Sequence, residues 1–351
     1  MFKFLLLLML MVFGVIFLLG GLTFMKIFRR VIPTGIAHGT VTVHFMQNEI
    51  EVTTFRTESD YSDGRHPDNV AFTRNLDEDL SRRDFTMNAI AASLKDGKIT
   101  DPFDGQEDIK NRTVRTVGNP YERFLEDGLR PIRAIRFSAK LNFKIEEETL
   151  KAISAPKILE KTKSVSLERF RDELSKLMQA EKPSDGLKIM EKTGILHIFM
   201  PEFDVCRGCI QRDFRGFHEF DVLDHLFYAC DGAPKEKINV RRAALLHDIG
   251  KPEAKKVVKT PQGETNTFYR HEQISAEIAR KMLFRLKFSN TETENICHLI
   301  ENHMFNYEPT WKDSAVRRFL VKVKAENVDD LFDLRLADIY GMHNLPVRIH
   351  D

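Results

Sequence analysis

Arg82-Arg83-Asp84-Phe85-Thr86-Met87-Asn88-Ala89 places two guanidiniums, a carboxylate and an amide at one turn-to-helix junction. The apolar residues Phe85, Met87, Ala89 and Ile90 between them read as the start of a buried helix, and the spacing predicts a helix over 81–92. Arginines at a helix N-terminus, where backbone N–H groups also point outward, form a cradle for phosphates. Asp84 and Asn88 are then placed to orient a sugar hydroxyl. A basic pair before a helix is ordinarily a solvated surface, so the neighbours of this stretch decide its meaning.

On its N-terminal side, 40–45 and 49–55 alternate and are rich in Val and Thr, which reads as two strands joined by a turn at Gln47-Asn48. Residues 60–69 are polar and contain Gly64 and Pro67, hence a loop. On the C-terminal side, 99–103 and 113–117 are short strand candidates flanking a turn at 101–105. From Pro120 the periodicity is helical, beginning with an amphipathic helix through Leu129, Ile132, Ile135 and Phe137. Further helices are predicted at 146–153, 166–179, 184–193, 221–231, 240–249, 271–286, 290–302, 312–323 and 328–340. The fold class is α+β, a small α/β head followed by a long all-α region.

The chain has 351 residues, enough for two or three domains. Its formal net charge of +1 announces no nucleic-acid partner through a global field, so RNA contacts must come from local basic patches. The four cysteines are too few for a disulfide framework, and the lone Cys206-x-x-Cys209 has no second pair. Free thiols in a reducing cytoplasm follow, rather than zinc. Residues 4–25 carry no charge and are about long enough to span a bilayer, followed by Lys26, Arg29 and Arg30. Two readings stand: an anchor tethering a cytoplasmic protein to the inner face of the cell membrane, or a non-native segment from a misassigned gene start.

Two further groups sit beside the opening stretch. Glu51 is a carboxylate in mid-strand, the kind of ligand Mg²⁺ uses in phosphoryl transfer. Asp127 and Arg130 are three apart, so on one helix they share a face. An acceptor and a planar donor fork together match the amine and ring acceptors of cytosine or adenine, while guanine and uracil present a carbonyl at the amine position. The bland alternatives are a solvated edge glutamate and an ordinary helix ion pair worth a few tenths of a kcal/mol.

With these residues in view, 32–345 resembles the class II CCA-adding enzymes and bacterial poly(A) polymerases. The strings that carry the resemblance are 34–43 (Thr-Gly-Ile-Ala-His-Gly-Thr-Val-Thr-Val), 51–56 (Glu-Val-Thr-Thr-Phe-Arg), 63–67 (Asp-Gly-Arg-His-Pro), the opening 82–89 string, and 126–130 (Glu-Asp-Gly-Leu-Arg). The resemblance implies untemplated addition of C, C and A to tRNA from CTP and ATP. It implies that Asp127 and Arg130 read the incoming base, that Arg83, Asp84 and Asn88 contact its ribose and triphosphate with Arg133 nearby, and that Glu51 is the catalytic third carboxylate of a Mg²⁺ site. The family's Asp-x-Asp strand is the departure: residues 1–30 contain no Asp or Glu. One carboxylate cannot build a two-metal clamp, so this chain is expected to bind nucleotides poorly and not to polymerise.

The helical half carries a second constellation. His225, the doublet His247-Asp248 and Asp338 lie on separate predicted helices, with His271 and His303 between doublet and distal Asp. Imidazoles and carboxylates in this set suit a hydrolytic divalent metal, a transition metal or Mg²⁺. The pattern resembles the HD phosphohydrolases, which implies these six as metal ligands, Lys251 as a phosphate partner, and phosphomonoesters or 2′,3′-cyclic phosphates as substrates. His298 fits no such pattern and reads as structural. Between the two constellations Lys151, Lys157, Lys161, Lys163, Arg169 and Arg171 are interspersed with acids like a solvated face, and RNA binding there rests on the resemblance.

The expected organisation is a hydrophobic segment at 1–30, a partial nucleotidyltransferase head at 31–119, a neck of RNA-binding helices at 120–205, and an HD domain at 206–351, with the chain incomplete at both ends. The alternatives are a poly(A) polymerase, a membrane-tethered HD hydrolase with a vestigial head, and a non-catalytic RNA-binding protein. tRNA, CTP and ATP are the expected partners; no protein partner follows from the sequence.

Overall fold

The computed structural model describes residues 28–35, 39–46, 48–59, 69–211, 219–261, 263–305 and 310–345. The chain divides into two compact units, Met1–Arg130 with Lys144–Ala152, and Pro131–Phe143 with Ile153–Asp351. Among the described residues no helix is long and apolar enough to cross a membrane; the apolar segment at 4–25 lies outside them, as does the 63–67 string.

The first unit is built on a three-stranded antiparallel sheet, Val31–Gly35, Thr40–Phe45 and Asn48–Thr53 in that order. Val41 and Val43 point to one face and are buried, and Phe28, Val31, Phe45 and Val52 pack on them. The period-2 pattern thus fixes the register, with Val41 opposite Val52 and Val43 opposite Ile50. A second ladder pairs Arg56–Ser59 with Asn69–Phe72, strand pairing that the polar composition around residue 60 concealed. Gly39 has φ +70°, and a Cβ there would stand 2.6 Å from the Phe72 ring, so glycine is needed for both reasons.

The helix expected over 81–92 does not form. A short helix, Leu76–Ser81, capped by the Asn75 side chain on Asp77 N–H, ends before the arginines. Arg82–Asp84 turn the chain, Phe85 bridges to Thr116, and only Thr86–Asn88 coil, as a 3₁₀ turn. The backbone bonds outward instead of along itself. Thr86 N–H donates to the Arg115 carbonyl, and its hydroxyl donates to Asp108 Oδ2 at 2.6 Å. Phe85 is fully buried, so its apolar neighbours belong to a core reached by extended chain and not by a helix face.

The second unit is helical along the lines predicted, with helices such as Leu167–Leu177, Pro183–Thr193, Val222–Gly232, Ile238–Leu246, His271–Arg285, Asn290–Asn302 and Val328–His343. Phe170 and Phe199 stack at 4.1 Å in its core. Arg241, almost fully buried, donates to the carbonyls of Met178, Ala180 and Ala233, satisfying groups past the ends of Leu167–Leu177 and Val222–Gly232. The helical run from Pro120 has one interruption of note, an antiparallel hairpin of Lys256–Thr260 with Gly263–Thr267. Helices Val222–Gly232 and Val328–His343 approach closely at Gly341, where a Cβ would stand 2.8 Å from the His225 carbonyl. That approach sets His225 beside Asp338.

Candidate functional site

The buried polar centre of the second unit is assembled mostly from helix ends. His225 lies within Val222–Gly232, whose first turn is capped by Asp221. His247 caps the C-terminus of Ile238–Leu246, and Asp248 follows in the turn before Lys251–Ala254. His271 opens His271–Arg285, His303 caps Asn290–Asn302, and Asp338 sits in Val328–His343. Residues spread over more than a hundred positions of chain thus converge. His225, His247, Asp248 and Asp338 offer ligand atoms within 4.8 Å of one another, and Asp248, His271 and His303 form a second such group. Asp248 belongs to both: its Oδ2 lies 3.2 Å from His225 Nε2, its Oδ1 3.1 Å from His271 Nε2.

The hydrogen bonds fix the tautomers. Nδ1 of His247, His271 and His303 lies 2.8, 2.7 and 2.7 Å from the carbonyls of Ala244, Phe268 and Ile300. A carbonyl only accepts, so each Nδ1 carries a proton and each Nε2 is turned inward. His271 Nε2 and His303 Nε2 lie 3.3 Å apart, and the Asp248 carboxylate 3.1 Å from His271 Nε2 raises that imidazole despite its burial. The donor set of inward imidazole nitrogens and carboxylates fits a divalent metal.

The electrostatics agree. Burial by itself would raise the Asp248 and Asp338 carboxyls, but His247, Lys251, His225 and His271 around Asp248, and His225 and His247 beside Asp338, hold both well below the usual range. Burial would depress His225, yet its hydrogen bonds to the two aspartates lift it to about 9. His303, buried and beside His247 and His271, falls to about 3 and is neutral. Asp248 and Asp338 are also gripped from outside: Lys251 Nζ donates to Asp248 Oδ2 at 2.5 Å, and Arg335 to Asp338 Oδ2 at 2.8 Å. A cavity of about 700 Å³ opens onto the centre, and Lys251, Arg270 and Arg335 line it. His298 stands apart, bonded at 2.7 Å to the Val323 carbonyl.

In the first unit the predicted nucleotide residues are joined through a network that the sequence did not announce. Buried Asp79 accepts from the Arg56 N–H, from Arg82 at 2.7 Å and from Arg83 at 3.1 Å. Burial would raise its carboxyl, but the two guanidiniums hold it below its ordinary value. Asp84 Oδ1 accepts from Phe85 N–H and from the Asn88 amide, both at 2.9 Å, so the carboxylate and amide of the opening stretch are locked together. Asp127 and Arg130 do not share a helix, which corrects the reading from spacing. Asp127 is extended at the C-terminal cap of Pro120–Glu126, where its side chain accepts from Leu129 N–H, and Arg130 begins Arg130–Leu141. The intervening Gly128-Leu129 turn breaks the periodicity. Arg130 donates to Glu126, to the Arg123 carbonyl and, at 3.3 Å, to the Arg82 carbonyl, tying it to the opening stretch.

Arg133 lies three residues on, in the second unit, its guanidinium 5.3 Å from the Phe137 ring centre. Glu51 is exposed on its strand opposite Thr42, and among the described residues it joins no group of three metal-ligating side chains. Asp79, Arg335 and Gln211 were the residues that sequence reasoning missed. The first two had a signal, Asp79 standing three and four positions before Arg82 and Arg83, and Arg335 three before Asp338 on one helix.

Three family models match in order: poly A polymerase head domain at 21–115, the probable RNA and SrmB-binding site of polymerase A at 142–206, and HD domain at 215–342. Among curated proteins, the chain is 50% identical over 171 residues to the CCA-adding enzyme of Limosilactobacillus reuteri, covering 48% of this chain and 41% of that one. It is 47% identical over 210 residues to the CCA-adding enzyme of Oceanobacillus iheyensis, covering 59% and 52%. The chain thus spans about half the length of the curated relatives it matches. Among solved structures, the Bacillus stearothermophilus CCA-adding enzyme in complex with CTP superposes with a TM-score of 0.65 at 27% identity, over 92% of this chain and 67% of that one. A tRNA nucleotidyltransferase complexed with a primer tRNA and an incoming ATP analog shares the fold, at 20% identity, a TM-score of 0.54 and coverage of 88% and 78%.

Proposed function

We propose, for a chain that belongs to the class II CCA-adding enzymes with their poly(A) polymerase-type head, RNA-binding neck and HD domain, that the parent reaction is transfer of CMP and AMP from CTP and ATP to the 3′ end of tRNA. In the head, Arg83, Asp84 and Asn88 would hold the ribose and triphosphate, and Asp127 and Arg130 the base edge. The hydrogen bond from Arg130 to the Arg82 carbonyl supports this, because it couples the base-reading pair to the phosphate cradle. Transfer needs more than a cradle. Residues 1–30 supply no carboxylate to join Glu51, and the exposed Glu51 is a poor Mg²⁺ site by itself. This chain therefore holds CTP weakly and does not extend a primer. Primer extension on tRNA lacking its CCA end, with Mg²⁺ and CTP, tests it; incorporation above a Glu51→Ala control defeats it.

The activity this chain is equipped to perform is metal-dependent phosphohydrolysis in the HD domain. The observation that carries it is the convergence of His225, His247, Asp248, His271, His303 and Asp338, with three imidazole Nε2 atoms oriented inward. A bound divalent metal would supply Lewis acidity and water activation. The chain's own contribution is to exclude bulk water, to orient the imidazoles with Nε2 inward through backbone carbonyls, and to set Lys251 and Arg335 against the negative charge of a phosphoryl group. Phosphomonoesters and 2′,3′-cyclic phosphates are the proposed substrates. Hydrolysis of 2′,3′-cyclic AMP in the presence of Mn²⁺, Ni²⁺ or Mg²⁺, abolished in His247→Ala and in Asp248→Ala, is the expected result. No turnover with any of the three metals would remove the hydrolase reading and leave an RNA-binding role.

A further inference from the structure

Helix Asp313–Val323 is amphipathic, and its inner arc carries Val316, Phe319, Leu320 and Val323. Val323 is fully buried, and the Phe319 ring packs against Phe305 at 5.3 Å and Trp311 at 5.6 Å. That packing fixes which way the helix is turned. At about 100° per residue, Arg317, Arg318, Val321 and Lys322 then share an outer arc of about 140°. All four are exposed. Lys312 and Lys324 stand at the two caps and are exposed as well. Asp313, in the first turn, is the one acid of the helix.

Exposed cations elsewhere in the second unit are neutralised by carboxylates. Lys281 pairs with Glu277, Arg280 with Glu294 and Glu301, and Lys237 with Asp330 and Asp333. A solvated face of mixed charge looks like this. Among the described residues, none of Lys312, Arg317, Arg318, Lys322 and Lys324 pairs with a carboxylate. The helix dipole accounts for cations near the C-terminus, where Lys322 and Lys324 stand. It gives no reason for Arg317 and Arg318 in mid-helix, and Arg318 and Lys322 are a like-charge pair four apart, which works against the helix. A cationic face left unneutralised is complementary to a polyanion. A membrane surface would require apolar side chains outward as well, and Val321 is the one apolar residue on this arc. Arginines and lysines spread along a helix suit the phosphate backbone of RNA.

We propose that the outer face of Asp313–Val323 is an RNA-docking surface of the HD domain, on which Arg317, Arg318 and Lys322 contact phosphates of a structured RNA. It lies outside 142–206, the segment matched by the RNA-binding model, and inside the HD match at 215–342. The inference goes beyond the two proposed reactions and needs neither of them.

The test is fluorescence anisotropy of labelled tRNA lacking its CCA end, titrated with the full chain between about 50 and 200 mM KCl. One variant carries Arg317→Ala and Arg318→Ala together. A control carries Arg280→Ala and Lys281→Ala, which removes the same charge from cations that already have carboxylate partners. The first variant should bind about tenfold more weakly at the low-salt end. Its plot of log affinity against log salt should flatten by about 1.4–1.8, or 0.7–0.9 for each lost phosphate contact. The control should keep the unmodified slope, and melting temperatures should agree among the three. An unaltered slope in the first variant would overturn the proposal while leaving RNA binding by the neck, and so the transferase reading, intact. Equal weakening in the control would overturn it too, by reducing the effect to net charge. Absence of tRNA binding by the unmodified chain would do the same. Sedimentation with phosphatidylglycerol vesicles supplies the remaining arm: vesicle binding lost in the first variant, with tRNA affinity unchanged, would assign the face to a membrane and overturn the RNA proposal.

Discussion

The candidate residues of the head and those of the HD domain are positioned in opposite ways. The head's residues come from short strings, Arg83-Asp84 with Asn88 and Asp127 with Arg130, each held by neighbours a few positions away. The HD centre draws its ligands from five separate helices and the turn after one of them. Its ligands are buried, whereas Glu51, the head's one candidate metal carboxylate, is exposed. A local string can preserve a binding cradle when its catalytic partners are elsewhere. A convergent site exists only when the whole unit folds around it.

Four perturbations would break or sharpen this contrast. The largest effect is expected from Asp79→Ala, which strips the buried anchor from Arg82, Arg83 and the Arg56 N–H. Removing one partner of a buried ion pair costs about 3–5 kcal/mol. CTP binding to the head should vanish while Mn²⁺ uptake by the HD domain persists; loss of both would show that the head's network supports the metal centre as well. Next is metal removal. A site held at 100 times its Kd in metal gains about 2.7 kcal/mol, so chelation should lower the melting transition by a comparable stability change. The same chelation in His271→Ala and Asp338→Ala should have a smaller effect. An equal shift in those variants would mean that the metal sits elsewhere.

The third concerns pH. Asp231 accepts from Ser184 N–H and Oγ at the start of Pro183–Thr193, and burial, partly offset by those bonds, raises its carboxyl to about 6 from an ordinary 3.8. Below 3.8 it is neutral in both folded and unfolded chains. Between 3.8 and 6 the unfolded chain loses its proton first, so stability falls as pH rises through that window and stays lower above it. Asp231→Asn should erase the fall and gain up to about 3 kcal/mol at pH 7. Urea unfolding of both proteins at pH 4 and pH 7 measures it, and an equal gain at both pH values would exclude the carboxyl as the cause.

The smallest stability change is expected from Gly341→Ala. Its new methyl would press on the His225 carbonyl at 2.8 Å, while alanine favours the helix by about 1 kcal/mol, so net stability should move by about 1 kcal/mol or less. Metal affinity should fall nevertheless, because His225 and Asp338 are set apart. Unchanged affinity would show that the helices adjust without moving the ligands.

Legibility in the sequence differed by element. Helices such as Asn290–Asn302, with a Ser289–Glu292 capping box, were legible because periodicity and caps are local properties. The 81–92 helix failed for the converse reason. Phe85, Met87 and Ala89 are spaced two apart, a period that suits extended chain, and Thr86 binds Arg115 and Asp108 more than twenty positions ahead. Arg130 reaches the opening stretch through a bond to the Arg82 carbonyl, and Asp127 and Arg130 are separated by a turn instead of sharing one helix face.

The sequence by itself determined the order of parts, the family strings and which His and Asp residues to group together, because those are read from residue type and spacing. Only the tertiary structure decided that Asp248 faces two groups of potential metal ligands, that backbone carbonyls orient three imidazole Nε2 atoms inward, and that Lys251 reaches both Asp248 and Gln211. Each of these depends on which carbonyl or side chain stands opposite in the packed unit, and sequence distance does not encode that.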